Sequence, residues 1–295
     1  MSHDHKHHHH GPASTKNIKV AFFINLAFSI IELIGGLWTN SVAILSDALH
    51  DFGDSLSLGV SWYFQNVSKK ERDNNFSYGY ARFSVLGAII NSIVLVVGSI
   101  IILTESIPRL LDPQNPNGEG MIYLAIGGIV FNGLAAWKLH TGVTLNERAV
   151  YLHLLEDILG WVATLIAAII IKFWSIPIMD PILAMGIAAF ILFNVYKNLK
   201  KAAKIILQGV PEEIEIEKIH ETLRNLKGVS DFHDCHVWSL DGQFHVLSVH
   251  LVVDEKENLI SLAKIKQEAK HTLLHLKIDH ATIEFETAAE DCDPC

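Results

Sequence analysis

Residues 86–103 read LGAIINSIVLVVGSIIIL, and residues 182–193 read ILAMGIAAFILF. Both stretches are apolar on every face of a helix, which is typical of a membrane span or of the centre of a very large core. The chain has 295 residues, of which 50% are hydrophobic and 19% are charged, and a soluble domain usually has about 25% charged residues. The two stretches therefore predict a helical membrane protein.

Other apolar runs flank these two stretches. A helix that crosses the hydrocarbon core needs about 20 consecutive apolar residues, and six windows have that length: 18–38, 41–64, 83–107, 120–140, 150–173 and 178–199. The alternative is six buried helices of a soluble protein, which the second and fifth windows would allow but the third and sixth would not. We therefore expect a six-helix transmembrane bundle.

The chain changes character after the sixth window, because from Lys197 onward its charge density is that of a soluble domain. Helical periodicity predicts helices over 211–226 and 258–276, and strand patterns occupy 232–240, 243–253 and 281–287. The order α-β-β-α-β predicts a small α+β domain. The expected segments are a histidine-rich N-terminal segment, a six-span transmembrane domain, the small α+β domain and a short tail, at 1–15, 16–204, 205–288 and 289–295.

Positive residues indicate the orientation of the bundle. Lysine and arginine concentrate in segments 1–20, 66–82, 138–149 and 197–204, whereas Arg109 and Lys172 lie near the opposite ends of the windows. Cytoplasmic loops carry the excess of positive charge, so both termini are expected in the cytoplasm. The net charge of −9 argues against nucleic acid as a partner.

Two windows contain side chains that are costly to place in a membrane. In the second, SDALHDFGDSLSLG (46–59) places His50 and Asp54 four residues apart, on one face of a helix. In the fifth, YLHLLEDILGWVATLIAAIII (151–171) repeats that spacing with His153 and Asp157. Charged residues within a membrane normally face the bundle interior and serve a function.

Two imidazoles and two carboxylates can supply four ligands to one metal ion. This set suits tetrahedral zinc, whereas manganese or magnesium favours oxygen alone. The alternative interpretation is two polar clamps that form hydrogen bonds between helices. Asp47 is expected to orient His50 by accepting its second N–H, and Asp51 to line the aqueous approach; the alternative for both is a solvated helix end.

At this point the chain resembles the cation diffusion facilitator family, in the zinc-transporting branch that has His-x-x-x-Asp in its second and fifth spans. Further matches are NLAFSIIELIGG (Asn25 to Gly36), FSYGYARF (76–83), HDCHVWSL (233–240) and VLSVHLVV (246–253). The resemblance implies a homodimer in the lipid bilayer that exports Zn²⁺ in exchange for protons, with a metallochaperone-like metal-binding domain. Some members have another site, built from histidines between spans 2 and 3, but residues 71–82 contain no histidine.

The resemblance also implies a cytoplasmic metal site that includes His233 and His250, which lie on the two strands of the predicted hairpin. Glu284 and Glu286 share one face of the last strand, although the family often has histidine in place of Glu284. Strict alternation places His233 on the same face of its strand as Cys235 and Val237. His245, His271 and His275 are interpreted as surface residues.

The three cysteines are too few for a disulfide framework. Cys292 and Cys295 form a single C-x-x-C, which could complete a capture site with Cys235 or with the N-terminal histidines, or could be a flexible reduced tail. The N-terminal MSHDHKHHHH is either native or a tag.

Other functional classes remain possible on this scaffold. A primary pump would need nucleotide machinery, and no P-loop run is present. A channel would not hold its ion in a tight site of four ligands. An intramembrane zinc-dependent hydrolase would need an open coordination position. The last alternative is an exporter of Fe²⁺ or Mn²⁺, and Cd²⁺ or Co²⁺ could accompany Zn²⁺. The default location is a bacterial inner membrane.

Overall fold

Six long helices come first in the part of the chain that the structure describes. This computed structural model describes residues 12–68, 70, 72–139 and 145–290, with the backbone alone for 12–21, 58, 61–62, 65–66, 68, 138–139, 145–150 and 152–153. The helices are Pro12–Thr39 (α1), Val42–Ser68 (α2), Phe83–Leu111 (α3), Gly118–Leu139 (α4), Leu145–Trp174 (α5) and Met179–Ile206 (α6). Each of them covers one predicted window.

Five of these helices, as far as the described residues reach, are long and apolar enough to cross a membrane. The exception is α2, whose hydropathy is lowered by His50 and three aspartates. On α3, large apolar side chains such as Ile93 and Ile101 are 54% and 60% exposed. Such an outward apolar surface needs lipid around it, so these helices form the core of a membrane domain.

Two compact units make up the chain. Among the described residues, those of 12–65 and 87–198 belong to the helical unit, and those of 66–86 and 199–290 belong to the sheet unit. The sheet unit contains Ile216–Arg224 (α7), Val229–Ser239 (β1), His245–Val253 (β2), Leu259–His275 (α8) and His280–Thr287 (β3). This is the predicted order α-β-β-α-β, although α7 begins five residues after Pro211, because residues 212–213 form a turn and Glu215 is extended.

The three described strands form one sheet in the order β1-β2-β3, with β1 antiparallel and β3 parallel to β2. Apolar residues at alternate positions of β2, such as Val249 and Leu251, pack with Leu223 of α7 and Leu273 of α8 in a common core. The helices therefore cover one face of the sheet. The Asp-Gly turn at residues 241–242 closes the hairpin, with Gly242 at a φ of 92°.

A β-bulge interrupts β1 between His233 and His236, and Asp234 at its centre has a φ of 50°. Because of this extra residue, the predicted alternation is wrong across the bulge. His233 pairs with His250 on the open face of the sheet, whereas Cys235 and Val237 pack against the core. Bulges commonly redirect side chains in this way.

His245 also differs from its interpretation as a surface residue, because its side chain is 3% exposed. It begins β2, where its backbone N–H donates to Asp279 Oδ2 and its carbonyl accepts from the N–H of Asp279. The side chain is buried by this junction between β2 and the residue before β3. His271 and His275 are exposed, as expected.

The connection between α1 and α2 is held by three other helices of the helical unit. The carboxylate of Asp180, at the start of α6, accepts hydrogen bonds from the backbone N–H groups of Val42 (2.8 Å) and Ala43 (3.2 Å). Arg109 of α3 donates to the carbonyl of Asn40, and the residue before α4 donates through its N–H to the carbonyl of Thr39. Asp180 therefore caps α2 and fixes its position in the bundle.

The cap predicts the effect of Asp180→Ala. The substitution leaves buried N–H groups at the start of α2 without an acceptor, which should lower the free energy of unfolding by about 1–3 kcal/mol. The thermal midpoint of the purified protein in detergent, followed by tryptophan fluorescence, should fall accordingly. Asp180→Asn keeps one acceptor oxygen, so its thermal midpoint should fall less. Asp112→Ala, at an exposed position, is the control and should leave the midpoint unchanged. Equal midpoints for wild type and Asp180→Ala would contradict this role.

Candidate metal sites

His50 and Asp54 lie on one face of α2, near the middle of that helix. The distance between His50 Nε2 and Asp54 Oδ2 is 3.8 Å, and both side chains are largely buried. At this separation one ion can contact both groups, since zinc–ligand bonds are about 2 Å long. The predicted i,i+4 pair, His50 and Asp54, is therefore well placed to bind one metal ion together.

Asp157 of α5 lies close to the polar face of α2. Asp47 of α2 interacts electrostatically with both Asp54 and Asp157, so acidic groups from the two helices share one region. The helices approach closely there, because a Cβ atom placed on Gly160 of α5 would lie 3.7 Å from Asp47 Oδ1. Gly160 follows Asp157 by three residues and therefore lies on a similar face of α5.

The side chain of His153 lies outside the described residues. Its assignment as a ligand rests on its four-residue spacing from Asp157, which places both on one face of α5. Asp47 and Asp51 are both buried, so neither is at a solvated helix end. The predicted roles of these two residues, orienting His50 and lining the approach, stay predictions.

A second group of possible ligands lies on the open face of the sheet. Ligand atoms of His233, His250 and Glu286 all lie within 4.8 Å of one another. Glu286 contacts both imidazoles, at 3.0 Å from His233 Nε2 and 2.6 Å from His250 Nδ1. The register of the sheet explains this meeting, because His233 is opposite His250, and Glu286 lies two residues beyond Glu284, the partner of His250 on β3, and so shares its face of the strand.

Glu284 and Asp234 border this group. Glu284 Oε2 lies 3.6 Å from His250 Nε2, but its side chain is 66% exposed. The bulge directs Asp234 towards the same face, where its carboxylate lies 2.7 Å from His236 Nε2 and 3.8 Å from His250 Nε2. Two imidazoles and a carboxylate within reach of one point fit a divalent metal ion.

Comparison with known proteins gives a direct match for both units. The family model described as the cation efflux transmembrane domain matches residues 18–207, and that described as the cytoplasmic domain of cation efflux proteins matches residues 211–288. The chain belongs to the cation efflux family.

Characterised relatives of this cation efflux protein match along nearly their whole length. A protein of Bacillus subtilis named cadmium, cobalt and zinc/H(+)-K(+) antiporter is 36% identical over 97% of this chain and 94% of its own. The zinc transporter ZitB of Pectobacterium atrosepticum is 32% identical over 100% and 92%, and the metal cation efflux system protein CzcD of Cupriavidus metallidurans is 32% identical over 98% and 91%.

These matches decide between the functional classes that the sequence left open. The family consists of multi-pass membrane transporters of cations, and its members are not enzymes. The intramembrane hydrolase is therefore dropped.

One acidic residue in the helical unit of this cation efflux protein was missed by the sequence analysis. Glu32 of α1 is 1% exposed and interacts electrostatically with Asp47, Asp51 and Asp157. It stands alone in the apolar stretch NLAFSIIELIGG, with no histidine four residues away. The signal that could have found it is the general cost of an acid within a membrane span.

Cys235 lies on the core face of the sheet, not on the open face with His233 and His250. Burial, with a smaller effect of the nearby Asp234 carboxylate, raises the pKa of its thiol to about 11. Metal binding requires the thiolate, and the side chain packs against the apolar core. The N-terminal histidines, Cys292 and Cys295, with which Cys235 was considered as a capture site, lie outside the described residues.

The raised pKa predicts slow alkylation of Cys235. In a Cys292→Ser, Cys295→Ser background, a pKa of about 11 leaves about one thousandth of the thiol as thiolate at pH 8. The rate of reaction with iodoacetamide should therefore be far below that of an ordinary cysteine and should keep rising with pH towards 11. The same protein unfolded in detergent is the control. Alkylation of the folded protein at the unfolded rate at pH 8 would refute the prediction.

The cluster on the open face of the sheet predicts that zinc binding to the sheet unit depends on His233 and Glu286. In an Asp157→Ala background, which should weaken the site predicted in the helical unit, His233→Ala combined with Glu286→Gln should remove bound zinc from the sheet unit. Binding should weaken as the pH falls, because protons compete for the ligands. Equilibrium dialysis measures the stoichiometry, and His271→Ala, at an exposed histidine of α8, should leave it unchanged. Unchanged zinc binding in the double variant would exclude the site.

Proposed function

We propose that this cation efflux protein exports Zn²⁺ from the cytosol in exchange for protons, by alternating access. The transport site is the tetrad formed by His50 and Asp54 of α2 with His153 and Asp157 of α5. Cd²⁺ and Co²⁺ are further candidate cargoes, since the Bacillus subtilis relative is named for cadmium, cobalt and zinc.

The observation that carries the proposal is the meeting of α2 and α5. Asp47 interacts with a candidate ligand from each helix, Asp54 and Asp157, and a Cβ atom placed on Gly160 of α5 would lie in ordinary contact distance, 3.7 Å, of Asp47 Oδ1. Two i,i+4 pairs on facing helices can then surround a single ion. Imidazole nitrogen favours zinc over Mn²⁺, which prefers oxygen ligands.

Charge balance explains why metal and protons would exchange. One Zn²⁺ neutralises the two carboxylates of the tetrad, whereas the empty site would leave about two negative charges in apolar surroundings. Protons on the ligands remove that charge, so the protonated site can return towards the cytosol. Because bound metal requires deprotonated ligands, protons on the far side displace the ion.

The topology follows from the same proposal. All six long helices cross the membrane, with the polar face of α2 turned into the bundle and both termini in the cytoplasm. Lysines and arginines near the predicted cytoplasmic ends support this orientation, and the bacterial relatives support the inner membrane. The family model for residues 211–288 is named ZT_dimer, which supports a homodimer.

The cluster of His233, His250 and Glu286 is a second, cytoplasmic site for the same class of ion, with Glu284 as an outer ligand. Its position on the open face of the sheet, where the His233 side chain is 42% exposed, suits reversible binding of cytosolic zinc. Zn²⁺ thus has two roles in this proposal, as cargo of the helical unit and as ligand of the sheet unit.

Transport by reconstituted protein tests the tetrad. Zinc flux into proteoliposomes under an imposed pH gradient should fall to background in Asp157→Ala, because the site loses one of the two negatively charged carboxylates that bind the metal. His50→Ala should lose one bound zinc per chain. Glu156→Gln, at an exposed position of the same helix, is the matched control and should transport normally.

Two outcomes separate the parts of the proposal. Undiminished flux in Asp157→Ala, for protein that elutes normally in size-exclusion chromatography, would refute the transport site. Zinc flux in wild type without any proton counterflow, measured with a pH-sensitive dye in the vesicle lumen, would refute the antiport alone.

A further inference from the structure

Glu32 is a buried acid without a hydrogen-bond donor. It lies on α1 and is 1% exposed, and among the residues that the structure describes no donor group reaches either of its carboxylate oxygens. Its polar contact is another carboxyl group, that of Asp51. A buried polar group in this state lacks compensation from the protein.

Three acids from two helices meet at this point. Glu32, Asp47 and Asp51, the α1–α2 carboxylate cluster, are all buried and interact electrostatically. The contact between the helices is fixed nearby, because Asn25 of α1 donates to the backbone carbonyl of Asp51 and to the hydroxyl of Ser55. Asn25 and Glu32 are seven residues apart, two helical turns, and therefore face α2 together.

The protein supplies no described positive side chain to this cluster. In the helical unit, Arg109 is paired with Glu105, Lys172 with Glu119, and Lys197 lies over the ring of Phe193. Three ionised carboxylates in apolar surroundings repel one another unless a cation or bound protons neutralise them. The tetrad metal would neutralise Asp54 and Asp157, its own carboxylates, and would leave the α1–α2 cluster uncompensated.

We propose that Glu32, Asp47 and Asp51 form a second cation site in the membrane domain, for a hard cation that is bound by oxygen alone. Hard cations such as Na⁺, K⁺ and Mg²⁺ prefer carboxylate and carbonyl oxygens, whereas the imidazoles of the tetrad favour zinc. The site uses α1, which contributes nothing to the tetrad. It does not depend on zinc binding at the tetrad, so the two proposals can fail separately.

Direct binding to the full-length protein in detergent tests this site. Radioactive sodium, rubidium (as an analogue of potassium) and magnesium are the probes, measured by equilibrium dialysis at neutral pH. At least one of them should bind to wild type, to His50→Ala and to Glu156→Gln. Glu32→Gln, which keeps the size of the side chain and removes its charge, should lower that affinity by at least about tenfold, with zinc stoichiometry unchanged.

Asp51→Asn provides a second variant in case Glu32→Gln does not fold, and size-exclusion chromatography reports folding for both. Loss of the hard cation with retention of zinc, in either folded variant, supports the site. Absence of binding of all three probes to wild type would overturn it and would leave protons as the charge that the cluster carries. Equal binding in wild type and in the folded variants would overturn it too, as would loss of zinc together with the cation, which would make the cluster part of the tetrad.

Discussion

Buried negative charge is the constraint on which the helical unit depends. A carboxylate in a membrane domain must meet hydrogen-bond donors, a positive side chain or a bound ion. Asp180 meets backbone N–H groups at the start of α2, and Glu105 is held by Arg109. Asp54 and Asp157 differ in having further acids among their neighbours, since Asp47 and Asp51 each interact electrostatically with both of them. Under the proposed function, Asp180 is a structural carboxylate that the protein satisfies itself, whereas a bound cation would balance the negative charge of Asp54 and Asp157.

The two proposed metal sites would follow different physical rules. The tetrad draws its ligands from helices, where an i,i+4 spacing alone brings an imidazole and a carboxylate to one face. The cluster on the sheet draws one ligand from each strand, so its geometry depends on register: His233 opposite His250, with Glu286 beside them on β3. The proposed helical site lies within the membrane domain beside further acids, whereas the proposed sheet site lies on the open face of its sheet. These surroundings suit transport in one case and equilibrium with the cytosol in the other.

Periodicity allowed the sequence to predict most of the fold. The apolar windows became six helices, and the strand patterns gave the order of the sheet unit, because each of these features depends on neighbours in sequence. The bulge at Asp234 was not predictable in this way, since an extra residue in a strand shows only through its pairing partner, and it moved Cys235 to the core face. The burial of His245 depends on its junction with Asp279, which is 34 residues away. The sequence did not predict a role for Glu32, because that role depends on its contact with another helix.

The short connection between α1 and α2 has a mechanical consequence. Two residues, Asn40 and Ser41, separate the helices, and bonds from α3, α6 and the residue before α4 converge on this corner. In any rearrangement that keeps those bonds, α1 and α2 move together and rotate about this corner. The displacement then grows with distance from the corner. The ends of α1 and α2 that are far from the corner move most, while the middle of α2, with His50, moves only part of that distance.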